Sequence, residues 1–122
     1  MIGPDLRQFI QDTFGSVWAL EVLLFLKRAG RAVPLAAIVT ELRASSSVVD
    51  QAVESLFAAG LLIVEEPDRN ATYAPSSPDL AALVDQVDAV YTQRPDAVRR
   101  LIIAARSSSL TAFSDAFRIR RD

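Results

Sequence analysis

Apolar residues recur at helical spacing through the first half of the chain, and polar or glycine residues separate the segments. A short helix is predicted from Pro4 to about Phe14, where the proline suits the first turn. A second helix, from Val17 to about Ala29, carries apolar residues on almost every face. Such a helix is buried on most sides, so we expect it at the centre of the core.

Two more helices follow closely. The first, over 35–42, is predicted by apolar residues at i, i+3, i+4 and i+7, namely Leu35, Ile38, Val39 and Leu42. After a tight turn at Arg43-Ala44, the next helix runs over about 46–59 on an apolar face made of Val49, Ala52, Val53, Leu56 and Phe57. Ser16 and Ser45 are predicted to cap helix starts, and Gly30 and Gly60 to end helices.

A β-hairpin is predicted next. The segment 61–64 is rich in strand formers, 65–70 is turn material and 71–74 is a return strand, whereas 31–33 is only an extended link. A long helix from Pro78 to about Gln93 follows, and Arg94-Pro95 ends it before a sixth helix to about Arg106. The chain is therefore expected to be mostly α with a small β-hairpin. Residues 1–77 form the domain and 78–122 a helical extension that is not independent.

Composition removes several classes of chemistry. The chain has no cysteine and no histidine, which excludes disulfides, thiolate metal sites and a Ser-His-Asp triad. No glycine-rich phosphate loop or metal-ligand spacing is present, so we expect neither an enzyme nor a cofactor or metal. No signal peptide or membrane-length apolar run is found either, and a cytoplasmic protein is the expectation.

The charge is unevenly divided along the chain. Residues 1–93 hold six basic against twelve acidic side chains, which gives −6, and residues 94–122 hold seven against three, which gives +4. A basic tail on an acidic body suits an anionic partner or self-association, and it also suits a chance division of surface charge.

The order of helix, helix, short link, helix, tight turn, helix and hairpin resembles winged helix-turn-helix transcription regulators of bacteria, of the multiple-antibiotic-resistance type. The resemblance covers about residues 17–74. It rests on the segments 34–45 and 46–56, on Ala58-Ala59-Gly60-Leu61-Leu62 and on Tyr73 in the return strand. It implies a homodimer that binds double-stranded DNA, with the helix after Ser45 in the major groove and the hairpin as the wing.

Carried over by position, the residues that would contact DNA are Arg43, Ser46, Ser47, Gln51, Arg69 and Asn70. The sequence departs from this pattern because no basic residue lies between Ser46 and Ala59, and Asp50 and Glu54 repel phosphate. The turn of the hairpin is acidic as well. The alternative is a winged helix that binds a protein through this acidic surface or through its basic tail.

The helix after Pro78 carries an apolar stripe made of Leu80, Val84, Val87 and Tyr91. One interpretation is a dimer seam beyond the wing. The other is packing on the chain's own first helix, through Leu6, Phe9 and Ile10, and the two can hold together.

The tail places Phe113 and Phe117 one helical turn apart beside Arg118. These residues could dock in a partner's groove, or contact nucleic acid or anionic lipid, or simply anchor the tail to the body or a dimer mate. Trp18 is expected in the core rather than in a ligand pocket.

Overall fold

The computed structural model describes residues 2–105 of the chain. This part is mostly helical and contains one small antiparallel sheet. Its elements in chain order are α1 (Pro4–Thr13), α2 (Val17–Ala29), β1 (Val33–Pro34), α3 (Leu35–Leu42), α4 (Ser46–Ala58), β2 (Leu62–Glu65), β3 (Asn70–Tyr73) and α5 (Pro78–Gln93). Residues 95–105 are also helical and are called α6 below.

The predicted helix boundaries are confirmed by their caps. The side chains of Ser16, Ser45 and Ser77 each accept a hydrogen bond, at 3.2 Å, from the backbone N–H three residues further on. Gly30, with φ 64°, is the left-handed residue that ends α2, and Gly60, with φ 79°, follows the end of α4. Local chemistry in the sequence therefore determines where these helices start and stop.

The sheet has the order β1-β3-β2, with all neighbours antiparallel. The predicted hairpin is β2 and β3, which pair Leu62 with Tyr73 and Glu65 with Asn70. The segment that the sequence described only as an extended link contains β1, in which Val33 pairs with Ala71. Two residues are too few to show strand alternation, and Pro34 is tolerated because β1 is an edge strand.

The core is organised around α2, as its apolar sequence predicted. Its residues Leu20, Val22, Leu23, Leu24 and Leu26 are all fully buried, and α2 contacts α3, α4 and β3. On another side of the molecule α1 packs against α5. Val98 and Ile102 of α6 belong to the same buried cluster, so the last described helix also contributes to this core.

Within residues 2–105, no single helix is long and apolar enough to cross a membrane. Only α1 and α2 taken together reach that length and composition, and they are bent by 101° relative to each other.

Candidate functional site

The link between α3 and α4 is a compact turn of three residues. Arg43 takes the left-handed conformation with φ 54°, and the N–H of Ala44 donates to the Val39 carbonyl at 3.1 Å, which closes the end of α3. Ser45 then caps α4 through the N–H of Val48. The turn leaves the Arg43 side chain exposed beside the start of α4.

Helix α4 has one buried and one outward side. Val49, Ala52, Val53 and Leu56 point into the core, and this leaves Ser46, Ser47, Gln51 and Glu54 exposed on the opposite side. No acidic residue lies in the first turn of α4. The free N–H groups and the positive end of the helix dipole there face solvent without a compensating charge.

The prediction that Phe57 belongs to the buried face was wrong. Its side chain is 56% exposed. Phe57 comes one residue after Leu56, and one residue turns a side chain by about 100° around a helix, which carries the ring out of the buried stripe. Ile63 on β2 is similarly exposed, at 52%, so two large apolar side chains are solvent-facing on α4 and the hairpin.

An ion pair joins the hairpin to α4. Arg69, with φ 52°, brings Nη1 to 3.9 Å from Oδ1 of Asp50, and its carbonyl accepts from the Leu35 N–H at 3.1 Å. Its Nε is buried and has no hydrogen-bond partner among the described residues. Arg69 is therefore half-buried against the body of the molecule.

Asn70 is also built into the fold. It is half-buried in β3, where it pairs with Glu65 on one side and Pro34 on the other. Arg69 and Asn70, which the sequence analysis placed among the DNA contacts of the hairpin, are therefore half-buried at the base of its turn, and the exposed turn residues are Glu66, Pro67 and Asp68.

We call the outward side of α4 with its flanking turns the α4 surface. Its charged residues are Arg43, Asp50, Glu54, Glu65, Glu66, Asp68 and Arg69. Two arginines against five acids leave a net charge of −3. Of the sequence-predicted DNA contacts, the structure brings Arg43, Ser46, Ser47 and Gln51 together as exposed side chains, while Arg69 and Asn70 form the edge toward the hairpin.

Trp18 is not a core residue, contrary to the expectation from the sequence. It is 39% exposed and lines two clefts. One, of about 320 Å³, lies between the α1–α2 junction and α4 and includes Gln51 and Ser55; the other, of about 430 Å³, includes Val17, Glu21 and Leu42. Trp18 lies in the first turn of α2, before the first buried residue of that helix, Ala19. This position could have indicated from the sequence that the indole is exposed.

The residues predicted for a dimer seam are mostly occupied within the chain. Val84 and Val87 are fully buried and Tyr91 nearly so, while Leu80 is half-buried. This is the alternative packing, in which α5 lies against α1. A dimer contact on α5 cannot use the three buried residues without opening the core.

Tyr91 joins α5 to α2 and α6. Its hydroxyl donates a hydrogen bond to Glu21, and its ring lies 5.4 Å from the Arg99 guanidinium. Burial, and then the bond to Glu21, raises the pKa of the Tyr91 hydroxyl above its ordinary value. Nearby, Lys27 contacts Asp88 at 2.9 Å and Asp85 at 3.4 Å, and the bond to Asp88 raises the pKa of the lysine.

The predicted docking residues Phe113, Phe117 and Arg118 lie outside the described residues. Within residues 2–105, no group of three acidic side chains is arranged to hold a metal ion. No protein-family model, curated protein or solved structure matches the chain.

Proposed function

We propose that this chain is a winged helix-turn-helix transcriptional regulator that binds double-stranded DNA through α4 and acts as a homodimer. The order α2-β1-α3-α4-β2-β3 supports the fold assignment, because a helix-turn-helix followed by a hairpin is the arrangement that the sequence resemblance implies. The observation that carries the proposal is the exposed start of α4, where Ser46, Ser47 and Gln51 stand outward beside Arg43.

Each of these groups has a separate role. Free N–H groups in the first turn of α4 and the hydroxyls of Ser46 and Ser47 bind phosphate oxygens, and Arg43 supplies a positive charge next to them. Gln51 lies one helical turn further, where its amide can make two hydrogen bonds to an adenine edge. The net charge of −3 on the α4 surface opposes this binding, so affinity is low and falls with salt.

The experiment is fluorescence anisotropy of labelled duplex DNA at low salt. Arg69 is paired with Asp50, so Arg43 is the cation that each chain offers to phosphate, and log Kobs is expected to fall with log salt with a slope of about −1 per chain. Arg43→Gln reduces the size of that slope by about one, whereas Gln51→Ala weakens binding by about 1–3 kcal/mol only on sites that carry the adenine. Arg31→Gln, which removes an exposed arginine before β1, is the control.

Two results would reject the proposal that α4 binds DNA. One is no anisotropy change at micromolar protein in low salt. The other is binding that Arg43→Gln weakens no more than Arg31→Gln does.

Homodimer formation needs a surface other than the buried stripe of α5. Ile103 of α6 is 57% exposed and lies just before the basic tail, and we propose pairing there. Sedimentation velocity should show a dimer that Ile103→Arg dissociates. Ile63→Arg places the same change at an equally exposed isoleucine on β2 and should leave the dimer intact; equal dissociation by both would reject this surface.

A second candidate is a protein-binding module, and the exposure of Phe57 within an acidic surface favours it. A partner segment that is basic and aromatic would match this chemistry, and residues 107–122 of the chain have that composition. A labelled peptide of residues 107–122 should then bind the protein and lose affinity in the Phe57→Ser variant, while Asp85→Asn leaves it unchanged. Absence of peptide binding together with DNA binding would exclude this candidate.

A further inference from the structure

An open cleft of about 450 Å³ lies between the beginning of α1 and α6. Three arginines line it: Arg7 on α1, Arg94 at the break before α6, and Arg100 on α6. The remaining lining is apolar and consists of Ile2, Ala97 and Leu101. All three arginine side chains are exposed, so their guanidinium groups can reach a bound molecule.

The positive charges around this cleft are not neutralised by the part of the chain that the structure describes. Among residues 2–105, the basic side chains that form ion pairs do so with acids on α4, α5 or α6; they are Lys27, Arg28, Arg69 and Arg99. By contrast, Arg7, Arg94 and Arg100 have no carboxylate within 4.0 Å among residues 2–105. Three like charges around one opening repel each other, and an anion between them relieves that repulsion.

The start of α6 adds to the same field. Ala97 lies in the first turn of α6 and lines the cleft, so free backbone N–H groups and the positive end of the helix dipole are close by. Asp96, the acid in this turn, directs its carboxylate to Arg99 at 3.4 Å. Val98 and Ile102 are buried on the other side of α6, which keeps its arginine-bearing side at the surface.

We propose that this cleft binds the phosphate group of a soluble phosphomonoester, whose organic part lies on Ile2, Ala97 and Leu101. Guanidinium groups bind phosphate oxygens in pairs, and three positive charges suit a dianion better than a single carboxylate. The apolar lining suits an organic substituent better than inorganic phosphate alone. The site is separate from the α4 surface and does not depend on DNA binding.

Isothermal titration calorimetry of the full chain with phenyl phosphate tests the proposal, at about pH 7.5, where such a monoester is mostly a dianion. Saturable binding is expected at one site. Arg7→Gln and Arg100→Gln should each weaken it about tenfold, as expected for loss of one charge-assisted hydrogen bond. Arg28→Gln and Arg31→Gln remove exposed arginines elsewhere and should leave the affinity unchanged. Circular dichroism of each variant checks that it is folded.

Four outcomes would overturn the proposal. The first is no saturable binding up to about 10 mM phenyl phosphate, far above the range of useful metabolite affinities. The second is binding that Arg43→Gln abolishes and Arg7→Gln does not, which assigns the phosphate to the start of α4. The third is co-sedimentation of the wild type, but not of Arg100→Gln, with phosphatidylglycerol vesicles, which would make a lipid headgroup the ligand of the cleft. The fourth is DNA affinity that falls equally in Arg7→Gln and Arg100→Gln, which would make the cleft a contact with the phosphate backbone of DNA.

Discussion

Replacing Asp50 by asparagine should strengthen DNA binding while costing the fold little. Asp50 is the α4 carboxylate that pairs with Arg69, with 3.9 Å between Oδ1 and Nη1. In the proposed complex this carboxylate repels phosphate and also holds one of the two arginines of the α4 surface. Asparagine keeps the size and shape of the side chain and removes only the charge.

The size of both effects follows from the geometry. The two side chains are 44% and 48% exposed, and ion pairs in such positions contribute about 0–1 kcal/mol, so the free energy of unfolding should fall by less than about 1 kcal/mol. The net charge of the α4 surface changes from −3 to −2, and Arg69 becomes available to phosphate. One added phosphate contact steepens the salt slope by about 0.9 and raises affinity at low salt by about three- to tenfold.

The assay is anisotropy of the same duplex over a salt series, with urea unfolding measured in parallel. Asp85→Asn is the matched control, because Asp85 is also an exposed acid in an ion pair, 3.4 Å from Lys27, but on α5. Equal affinity gains for the two variants would show a general charge effect. An unchanged or lower affinity in Asp50→Asn would refute the idea that the Asp50–Arg69 pair limits binding.

Four further predictions concern the scaffold that presents this surface. Gly30→Ala should destabilise the protein by about 1 kcal/mol because of its left-handed φ. Gly60→Ala should cost about as much for the same reason, because the side-chain oxygen that its added Cβ would meet at 2.6 Å belongs to an exposed serine and can rotate away; both are measured by urea unfolding. Ser45→Ala should lower the free energy of unfolding by about 1 kcal/mol through loss of the α4 cap, measured in the same way. The pKa values of Tyr91 and Lys27 are raised in the folded protein, so their protonated forms stabilise the fold. This contribution to the free energy of unfolding is complete below their ordinary pKa values, near 10, and is lost as pH rises through the higher folded-state values. Thermal unfolding should therefore show stability declining above about pH 10.

Each of these has a specific check. The oxygen that would meet the new Cβ at position 60 belongs to Ser76, so adding Ser76→Ala should leave the cost of Gly60→Ala unchanged; a lower cost in the double variant would show that the hydroxyl does not rotate away. Ser45→Asp should retain the cap that Ser45→Ala loses. Tyr91→Phe should reduce the alkaline decline; a decline of equal size in that variant would contradict the role given to the hydroxyl.

The parts of the fold that the sequence predicted are those governed by local chemistry. Caps at Ser16 and Ser45, stops at Gly30 and Gly60 and the apolar faces of α3 and α4 depend on residues within one or two turns of each other. The strand β1 could not be predicted in this way, because Val33 becomes a strand residue only when Ala71, far along the chain, lies beside it.

Side-chain environment was harder to predict than secondary structure. The spacing that assigned Val53 and Leu56 to the core included Phe57 as well, although a helix face of four residues was already complete without it. Likewise, an apolar stripe on α5 indicates that a surface is covered but does not identify what covers it; here Val84 and Val87 are buried within the chain, and α1 packs against α5. Arg69 combined both difficulties, since its partner Asp50 lies on a different element.

Trp18 gives the protein a built-in optical reporter. It is the single tryptophan of the chain, and it lies half-exposed beside Gln51 at the edge of α4. Fluorescence excited in the indole absorption band therefore comes from Trp18 alone. DNA, a protein or any other molecule that binds against α4 should shift or quench this fluorescence in the unlabelled protein. Binding in the cleft between α1 and α6, which Trp18 does not line, should leave the spectrum unchanged.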